Sequence, residues 1–334
     1  MDAFEVLLSL IGRYNDLGIP EQIDYNKFYL YSIITHSTAI EGSTVTELEN
    51  NMLFDEGITA AGKTMSEQMM NLDLKAAYEE SMLLARQHSS IDPDLLKHLS
   101  SLVMKGTGTT YKTALGEFSS ANGDFRLVNV SAGAGGPSYL GFQKIPASLA
   151  RFCDWLNSKR AIPMTVTERY ILSFEAHYNL VMIHPWVDGN GRMARLLMNH
   201  IQFEFGLVPS KILKEDKAAY IEALNKSREA GNTEAFIDFM IQETIKVLSI
   251  EIESYLVSTS EDFVLREYSP KPRLKSKDAI LELLLAHPEY SSRKLSEAVG
   301  ISAKGVEKYL AKLKKEGLIR REGPDKGGRW IVLN

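Results

Sequence analysis

Apolar residues recur at intervals of three and four along most of this 334-residue chain. Segments such as "DLLKHLSSLVM" and "EAFIDFMIQETIKVLSIEIESYL" carry the pattern clearly. That period stacks side chains on one face of a helix and is incompatible with the two-residue alternation of a strand. It predicts a mainly α protein, with helix over most of residues 1–110 and 145–265. The middle is different. Residues 116–142, "GEFSSANGDFRLVNVSAGAGGPSYLGF", are rich in Gly and Ser around a short β-prone piece, Leu127 to Val130. This reads as a β-hairpin or flap with mobile turns.

Charge divides the chain. The whole carries a net charge of −5, but residues 270–334 hold fifteen Lys and Arg against eight Asp and Glu. A small basic module is therefore expected beside an acidic body. Pro270 and Pro272 lie in a Lys/Arg-rich connector that reads as a linker. Beyond it the order is helix, short helix, a turn at Gly300, a longer helix, then two strands around "GPDKGG". That is the order of a winged helix-turn-helix over residues 273–334, with Ser302 to Glu316 in the recognition-helix position. DNA is then a candidate partner, although a wing can equally dock a protein.

Cys153 is the only cysteine, which excludes an intrachain disulfide. The start "MDAFEVLLSL" lacks the basic region and cleavage site of a signal peptide. No apolar run approaches the roughly 18 residues of a membrane span. Together these features predict a cytoplasmic protein with no membrane partner.

The least ordinary stretch is "IHPWVDGNGRMARLLMN", Ile183 to Asn199. Thr165 and Glu168 fit a capping box before "RYILSFEAHYNLVMI", so a helix should run up to His184 and stop before Pro185. Gly189 and Gly191 let successive N–H groups converge at the start of the next helix, where partial positive charge favours an anion. Asn190 can add a donor. Arg192 and Arg195, three apart on that helix, can both reach one polyphosphate. Asp188 suits Mg²⁺, which takes one or two carboxylates together with substrate oxygens. His184 can accept a proton from a hydroxyl beside the bound phosphate. A base, a metal ligand, an anion cradle and two cationic clamps amount to a site for attack on a nucleotide phosphate.

"HPWVDGNGRMAR" resembles the signature of the Fic family, His-Pro-Phe-x-Asp/Glu-Gly-Asn-Gly/Lys-Arg-x-x-Arg, with Trp186 in place of Phe. "GDFR" at 123–126 and "YLGFQKIPASLARFCDWLN" at 139–157 look like the family's flap region. The resemblance covers roughly residues 30 to 250. It implies a helical Fic fold with a β-hairpin flap, followed by the small winged-helix domain. The expected divisions are an N-terminal helical region over 1–110, a catalytic core over 111–265 and the winged helix over 273–334. The implied activity is transfer of AMP from ATP to a Ser, Thr or Tyr hydroxyl of a target protein, itself included. The resemblance implies His184 as base and Asp188 as Mg²⁺ ligand. It places Gly189, Asn190, Gly191 and Arg192 around the phosphates, Arg195 on the γ-phosphate, Tyr139 and Leu140 of the flap on the nucleotide, and Tyr220 facing adenine. The flap departs from the proline pair of many members, having Leu140 and Gly141, and the family's asparagine eight residues after Tyr220 is Arg228 here.

A second family pattern lies upstream. In "STAIEGS", Ser37, Glu41 and Gly42 fit the inhibitory motif Ser/Thr-x-x-x-Glu-Gly/Asn. Ser37 and Glu41 share a helical face. An inhibitory helix is thus implied at about 30–45, with Glu41 pairing to Arg195. Competing readings are a Fic enzyme that removes AMP or uses another nucleotide, and a DNA-binding regulator with the Fic body as sensor. A homo-oligomer is compatible with any of them.

Other patterns carry less. "GITAAGKT", Gly57 to Thr64, matches a P-loop but lacks the buried strand that must precede one, so it reads as a loop between helices. The remaining histidines show no metal-ligand spacing. Cys153 sits in an apolar helical pattern and reads as core.

Overall fold

The computed structural model describes residues 2–133, 136–259, 276–299, 301–323 and 328–333. In chain order the helices are α1 (Ala3–Asp16), α2 (Tyr25–Ile40), α3 (Glu47–Glu56), α4 (Met65–Arg86) and α5 (Pro93–Val103). The strands β1 (Thr110–Thr113) and β2 (Gly116–Ser119) follow. Next come α6 (Ile145–Arg160), α7 (Val166–Ile183), α8 (Asn190–Glu204), α9 (Lys217–Ala230) and α10 (Glu234–Thr259). The chain closes with α11 (Ser276–Ala286), α12 (Ser292–Val299), α13 (Ala303–Lys315), β3 (Ile319–Glu322) and β4 (Arg329–Val332). The fold is mainly helical, as the periodicity predicts. Among the described residues no helix is long and apolar enough to cross a membrane.

These residues form two compact units, Met1–Ser43 with Met69–Val257, and Thr44–Gln68 with Ser258–Asn334. In the first, α8 is the central helix. It is buried through most of its length, including Arg192, Arg195, Asn199, His200 and Gln202. Such a helix is tolerated only if its polar groups find partners. Asn199 accepts from the Tyr78 hydroxyl at 2.7 Å and donates to the Ser210 carbonyl at 2.8 Å, and Gln202 donates to Ser173 Oγ at 3.0 Å. α7 packs along α8, with α5 and α2 also against it. The α7 capping box forms as expected: the Glu168 N–H donates to Thr165 Oγ1 at 3.2 Å, and the Thr165 N–H donates to the Glu168 carboxylate at 2.7 Å. Cys153 is buried, and burial pushes its thiol up to about 12, in keeping with a packing role.

The 116–142 region differs from its expected form. The antiparallel hairpin lies earlier, with Thr110 opposite Ser119 and Tyr111 stacked on Phe118. Leu127 to Val130 form no strand, and just beyond them Ser131 bridges to Ser138. The reason is Arg126, a buried guanidinium in the middle of the segment. It donates to the carbonyls of Val128 at 2.7 Å, Leu140 at 2.5 Å and His184 at 2.8 Å. One side chain thereby satisfies acceptors that strand pairing would otherwise use.

The second unit is built on the winged helix-turn-helix order of α11, α12, α13 and the β3–β4 hairpin, in which Ile319 faces Val332. Ile280, Leu284, Leu295, Val306, Leu310, Leu313 and Trp330 fill its core. Ser302 caps α13, accepting from the Gly305 N–H at 3.1 Å. The expected linker at Pro270 and Pro272, the turn at Gly300 and most of the "GPDKGG" turn lie outside the described residues. Residues 44–68, read from sequence as part of the N-terminal helical region, belong to this unit, and Met52 and Ile58 enter its core. The P-loop-like stretch within them follows helix α3 and precedes α4, with no strand before it. Lys63 donates to the Thr44 carbonyl at 2.6 Å and to Thr44 Oγ1 at 3.1 Å, tying the loop to the residues that precede α3.

Candidate active site

The turn between α7 and α8 assembles the site. α7 ends because His184 adopts a left-handed backbone, φ 51°, before Pro185. That conformation is costly for a residue with a Cβ, by about 1–3 kcal/mol, and concentrates at functional positions. Trp186 is fully buried and donates its indole N–H to the Gly123 carbonyl at 3.0 Å. It anchors the turn to the segment leading into the flap. Gly189 caps α8 at φ 79°, and a Cβ there would lie 2.7 Å from Met104 Sδ. Gly189→Ala is therefore expected to lower stability by about 1–3 kcal/mol. An unchanged denaturant midpoint would contradict this.

His184 is held at both the ring edge and the ring face. Its Nδ1 lies 3.2 Å from the Val181 carbonyl, an acceptor, so Nδ1 carries the proton and Nε2 keeps its lone pair. Tyr139 from the flap stacks on the imidazole, with centroids 3.7 Å apart and planes 15° apart. The Arg228 guanidinium lies 4.7 Å from the Tyr139 ring centre. Burial, with the positive charges of Arg126 and Arg228, lowers the imidazole to about 4, against the opposing Val181 hydrogen bond and Asp188. The ring is therefore neutral at pH 7, with a free acceptor at Nε2.

The cradle lies at the start of α8. Asp188 is exposed and accepts from the Gly189 N–H at 2.6 Å. Arg192 is buried, donates to the Val103 carbonyl at 3.3 Å and lies 3.7 Å from Asp188. Arg195 is buried as well. Its Nε donates to Ser37 Oγ at 2.8 Å, and its Nη2 donates to the Ser37 carbonyl at 3.0 Å and to Glu41 Oε1 at 2.5 Å. Arg192 Nε and Arg195 Nη1 are buried donors with no hydrogen-bond acceptor among the described residues. Orphaned guanidinium donors beside a helix N-terminus fit a polyanion.

Glu41 fills part of that space. It caps α2 at its C-terminal end, where the helix dipole disfavours a carboxylate and the last turn offers no cation. The compensation comes from α8: a Cβ on Gly191 would meet Glu41 Oε1 at 2.6 Å. The carboxylate thus sits on the glycine that opens the cradle. Burial pushes its titration up, but Arg195, with Arg192 and Lys217, outweighs that and holds it below the ordinary range. The pair's stabilisation is complete above the ordinary carboxylate value and is lost as pH falls through the lowered one. Gly42, at φ 104°, turns the chain away after Glu41. Asn71 braces both flanks, accepting from Thr38 Oγ1 at 2.8 Å and donating to Ser43 Oγ at 3.2 Å.

Asn190 and Tyr220 both have close partners in place. Asn190 spends its side chain inside the turn, accepting from the Trp186 N–H at 3.1 Å and donating to the Trp186 carbonyl at 2.9 Å. Its amide thereby braces the cradle and keeps a second N–H for other partners. Tyr220 is buried among Phe236, Phe239 and His177, with its hydroxyl 3.1 Å from His177 Nε2. Burial pushes its hydroxyl up to about 12, opposed by the charge of the nearby Arg195. Leu140 meets the site through its carbonyl, held by Arg126.

Comparison with known proteins bears on this geometry. Residues 90–202 match the Fic/DOC family, and residues 275–320 match a winged helix-turn-helix DNA-binding family. The chain carries a Fic domain. Protein adenylyltransferase Fic of Drosophila willistoni is 30% identical over 231 residues, covering 68% of this chain and 42% of that protein. Protein adenylyltransferase fic-1 of Caenorhabditis elegans is 26% identical over 248 residues, covering 73% and 44%. The chain thus spans less than half the length of these curated relatives. Among solved structures, a Fic domain containing signaling protein of Bacteroides thetaiotaomicron aligns with a TM-score of 0.62 at 20% identity, over 75% of this chain and 96% of that one. A Fic family protein of Desulfovibrio desulfuricans aligns with a TM-score of 0.61 at 18% identity, over 99% and 95%. These two likenesses concern the fold.

The Fic domain also relies on residues the sequence did not flag. Arg126 joins flap and turn, and Asn71 braces Glu41, yet each works through partners distant in sequence that no local spacing announces. Asp73 accepts from the Gly106 N–H at 2.6 Å and adds negative charge near Arg192.

Proposed function

We propose that this protein transfers AMP from ATP to a Ser, Thr or Tyr hydroxyl of a target protein, and that Glu41 holds the reaction back. One observation carries the reading: the Glu41 carboxylate rests on Gly191 and bonds Arg195, in the place and on the guanidinium that a nucleotide's terminal phosphate needs. The curated relatives named as protein adenylyltransferases support the chemistry.

In this scheme His184 Nε2 takes the proton from the target hydroxyl. The hydroxyl oxygen bonds to the α-phosphorus, the bond from that phosphorus to the bridging oxygen breaks, and pyrophosphate leaves. The α8 N-terminus, Arg192 and Arg195 hold the phosphates. Asp188 is the exposed carboxylate at the cradle and would hold Mg²⁺ together with phosphate oxygens and water, the ion offsetting phosphate charge when bound. Tyr139 keeps the imidazole face covered. With Glu41 in place, ATP lacks the Arg195 grip on its terminal phosphate, and misplacement of the reacting phosphorus by about 1 Å costs on the order of 10²-fold in rate.

The winged helix adds a second reading, duplex DNA binding. It is favoured by the exposed Lys304, Lys308, Lys312, Lys314 and Lys315 on α13.

Incubation with ATP, GTP, CTP and UTP labelled at the α-phosphate tests the activity. Incorporation from ATP into protein supports the proposal, and preferential incorporation from another nucleotide replaces it. Release of label from a pre-modified protein, without incorporation, identifies AMP removal instead. The lowered His184 titration gives a pH prediction. Because the neutral, proton-accepting form persists below the ordinary value, transfer by the Glu41→Gly variant should stay level from about pH 8 to about pH 5.5. An acid limb centred near the ordinary imidazole value of 6.5 would contradict it.

A further inference from the structure

Residues 44–68 form a closed excursion of the chain that begins directly after Gly42 and Ser43. Glu67 clips its ends. One carboxylate oxygen accepts from the Thr44 N–H at 2.8 Å and Oγ1 at 2.7 Å, and the other accepts from the Thr64 N–H at 2.9 Å and Oγ1 at 2.8 Å. Within this excursion, the end of α3 and residues 57–60 lie on α13, the recognition helix. Ile58 is buried against Gly305 so closely that a Cβ on the glycine would come within 2.6 Å of it. Ala60 bridges to Ile301, and the Ser302 N–H donates to the Thr59 carbonyl at 3.4 Å.

The chemistry of this contact is distinctive. The last carbonyls of a helix lack internal donors and carry partial negative charge. Lys308 donates to one of them, Glu56 O, at 2.9 Å. Ser302, Gly305 and Lys308 lie along one line of α13. In helix-turn-helix proteins, the N-terminal part of the recognition helix enters the major groove and its lysines meet phosphates and base edges. Here the chain's own carbonyl oxygens take those donors, and Ile58 covers the glycine where a groove would approach most closely.

We propose that residues 56–60 and duplex DNA compete for the same face of α13, so that DNA binding lifts the excursion off the winged helix and loosens Glu41, which lies just before it. The second half rests on the reading of Glu41 as inhibitory. It makes the winged helix the sensor of the Fic domain and DNA its activating ligand.

A reversible lock tests this. Thr59 Oγ1 and Ser302 Oγ are 3.4 Å apart, so Thr59→Cys with Ser302→Cys can form a disulfide after a small adjustment, and the buried Cys153 does not interfere. A random-sequence duplex is titrated at low salt against both redox forms of the full chain, with Ile58→Asp as a second variant. The oxidised form should bind at least about tenfold more weakly than the reduced form, and Ile58→Asp should bind more tightly than wild type. DNA should raise ATP-dependent self-modification of the reduced form and leave the oxidised form unchanged. Equal affinities of the two redox forms, or no DNA binding by the reduced form, overturn the competition. DNA that binds the reduced form without raising transfer, while Glu41→Gly does raise it, overturns the coupling. If Glu41→Gly itself has no effect, the inhibitory reading fails separately and the affinities still decide the competition.

Discussion

In a Glu41→Gly background, His184→Ala is expected to slow AMP transfer by about 10²–10⁴-fold while ATP affinity changes little. The expectation follows from how the imidazole is held. Val181 fixes the proton on Nδ1, Tyr139 covers the ring face, and burial keeps the ring neutral with Nε2 as acceptor. None of these contacts grips phosphate, so the loss should fall on the rate of the chemical step. The left-handed backbone at 184 complicates the alanine variant, because strain could disturb the cradle. His184→Asn is the cleaner companion, since Asn tolerates that conformation and lacks a basic nitrogen. Rates of label incorporation, paired with calorimetric ATP titrations, check the expectation. Near-normal transfer by either variant would remove His184 from the role of base.

The second large effect is a gain. Glu41→Gly should raise transfer on the order of 10²-fold by returning Arg195 to the terminal phosphate. The same change removes the Glu41 carboxylate from the buried Arg195 guanidinium, which keeps its bonds to Ser37. Without nucleotide, the variant should therefore unfold at lower temperature than wild type, because an uncompensated buried charge is costly. ATP should then raise its Tm more than it raises that of wild type, since the phosphate replaces the lost partner. Arg195→Ala in the same background should lose both the ATP-induced rise and the transfer. Equal ATP-induced shifts in wild type and Glu41→Gly would show that Glu41 and the phosphates do not share Arg195.

The parts of the site that were legible in sequence are those where local spacing fixes geometry. Thr165 and Glu168 mark the start of α7, and Pro185 marks its end. The glycines around Asn190 mark a turn opening a helix, and two arginines three apart mark one helical face. Ser37 on α2 and Glu41 at its C-cap, four apart, both reach Arg195 as that spacing implies. What was not legible depends on tertiary partners. The β-prone run Leu127–Val130 gave way to Arg126, whose guanidinium captures the segment's carbonyls. Nothing in the spacing around Asn190 announces its bonds to Trp186, which are a property of the folded turn. The aromatic neighbours of Tyr220 and its closeness to Arg195 come from elements distant in sequence. The proline-containing connector suggested a module that begins after residue 270, yet the winged-helix core also takes Met52 and Ile58 from far upstream. No periodicity within residues 44–68 reveals which unit they complete.

In the proposed function one carboxylate, Glu41, and one guanidinium, Arg195, decide whether this Fic domain transfers AMP. Intact-protein mass spectrometry after incubation with ATP and Mg²⁺ tests it most directly, on wild type, Glu41→Gly, and Glu41→Gly with Arg195→Ala. Wild type should carry little or no AMP adduct, Glu41→Gly abundant adduct, and the double variant none. Equal adduct on wild type and Glu41→Gly, or undiminished adduct on the double variant, would contradict it.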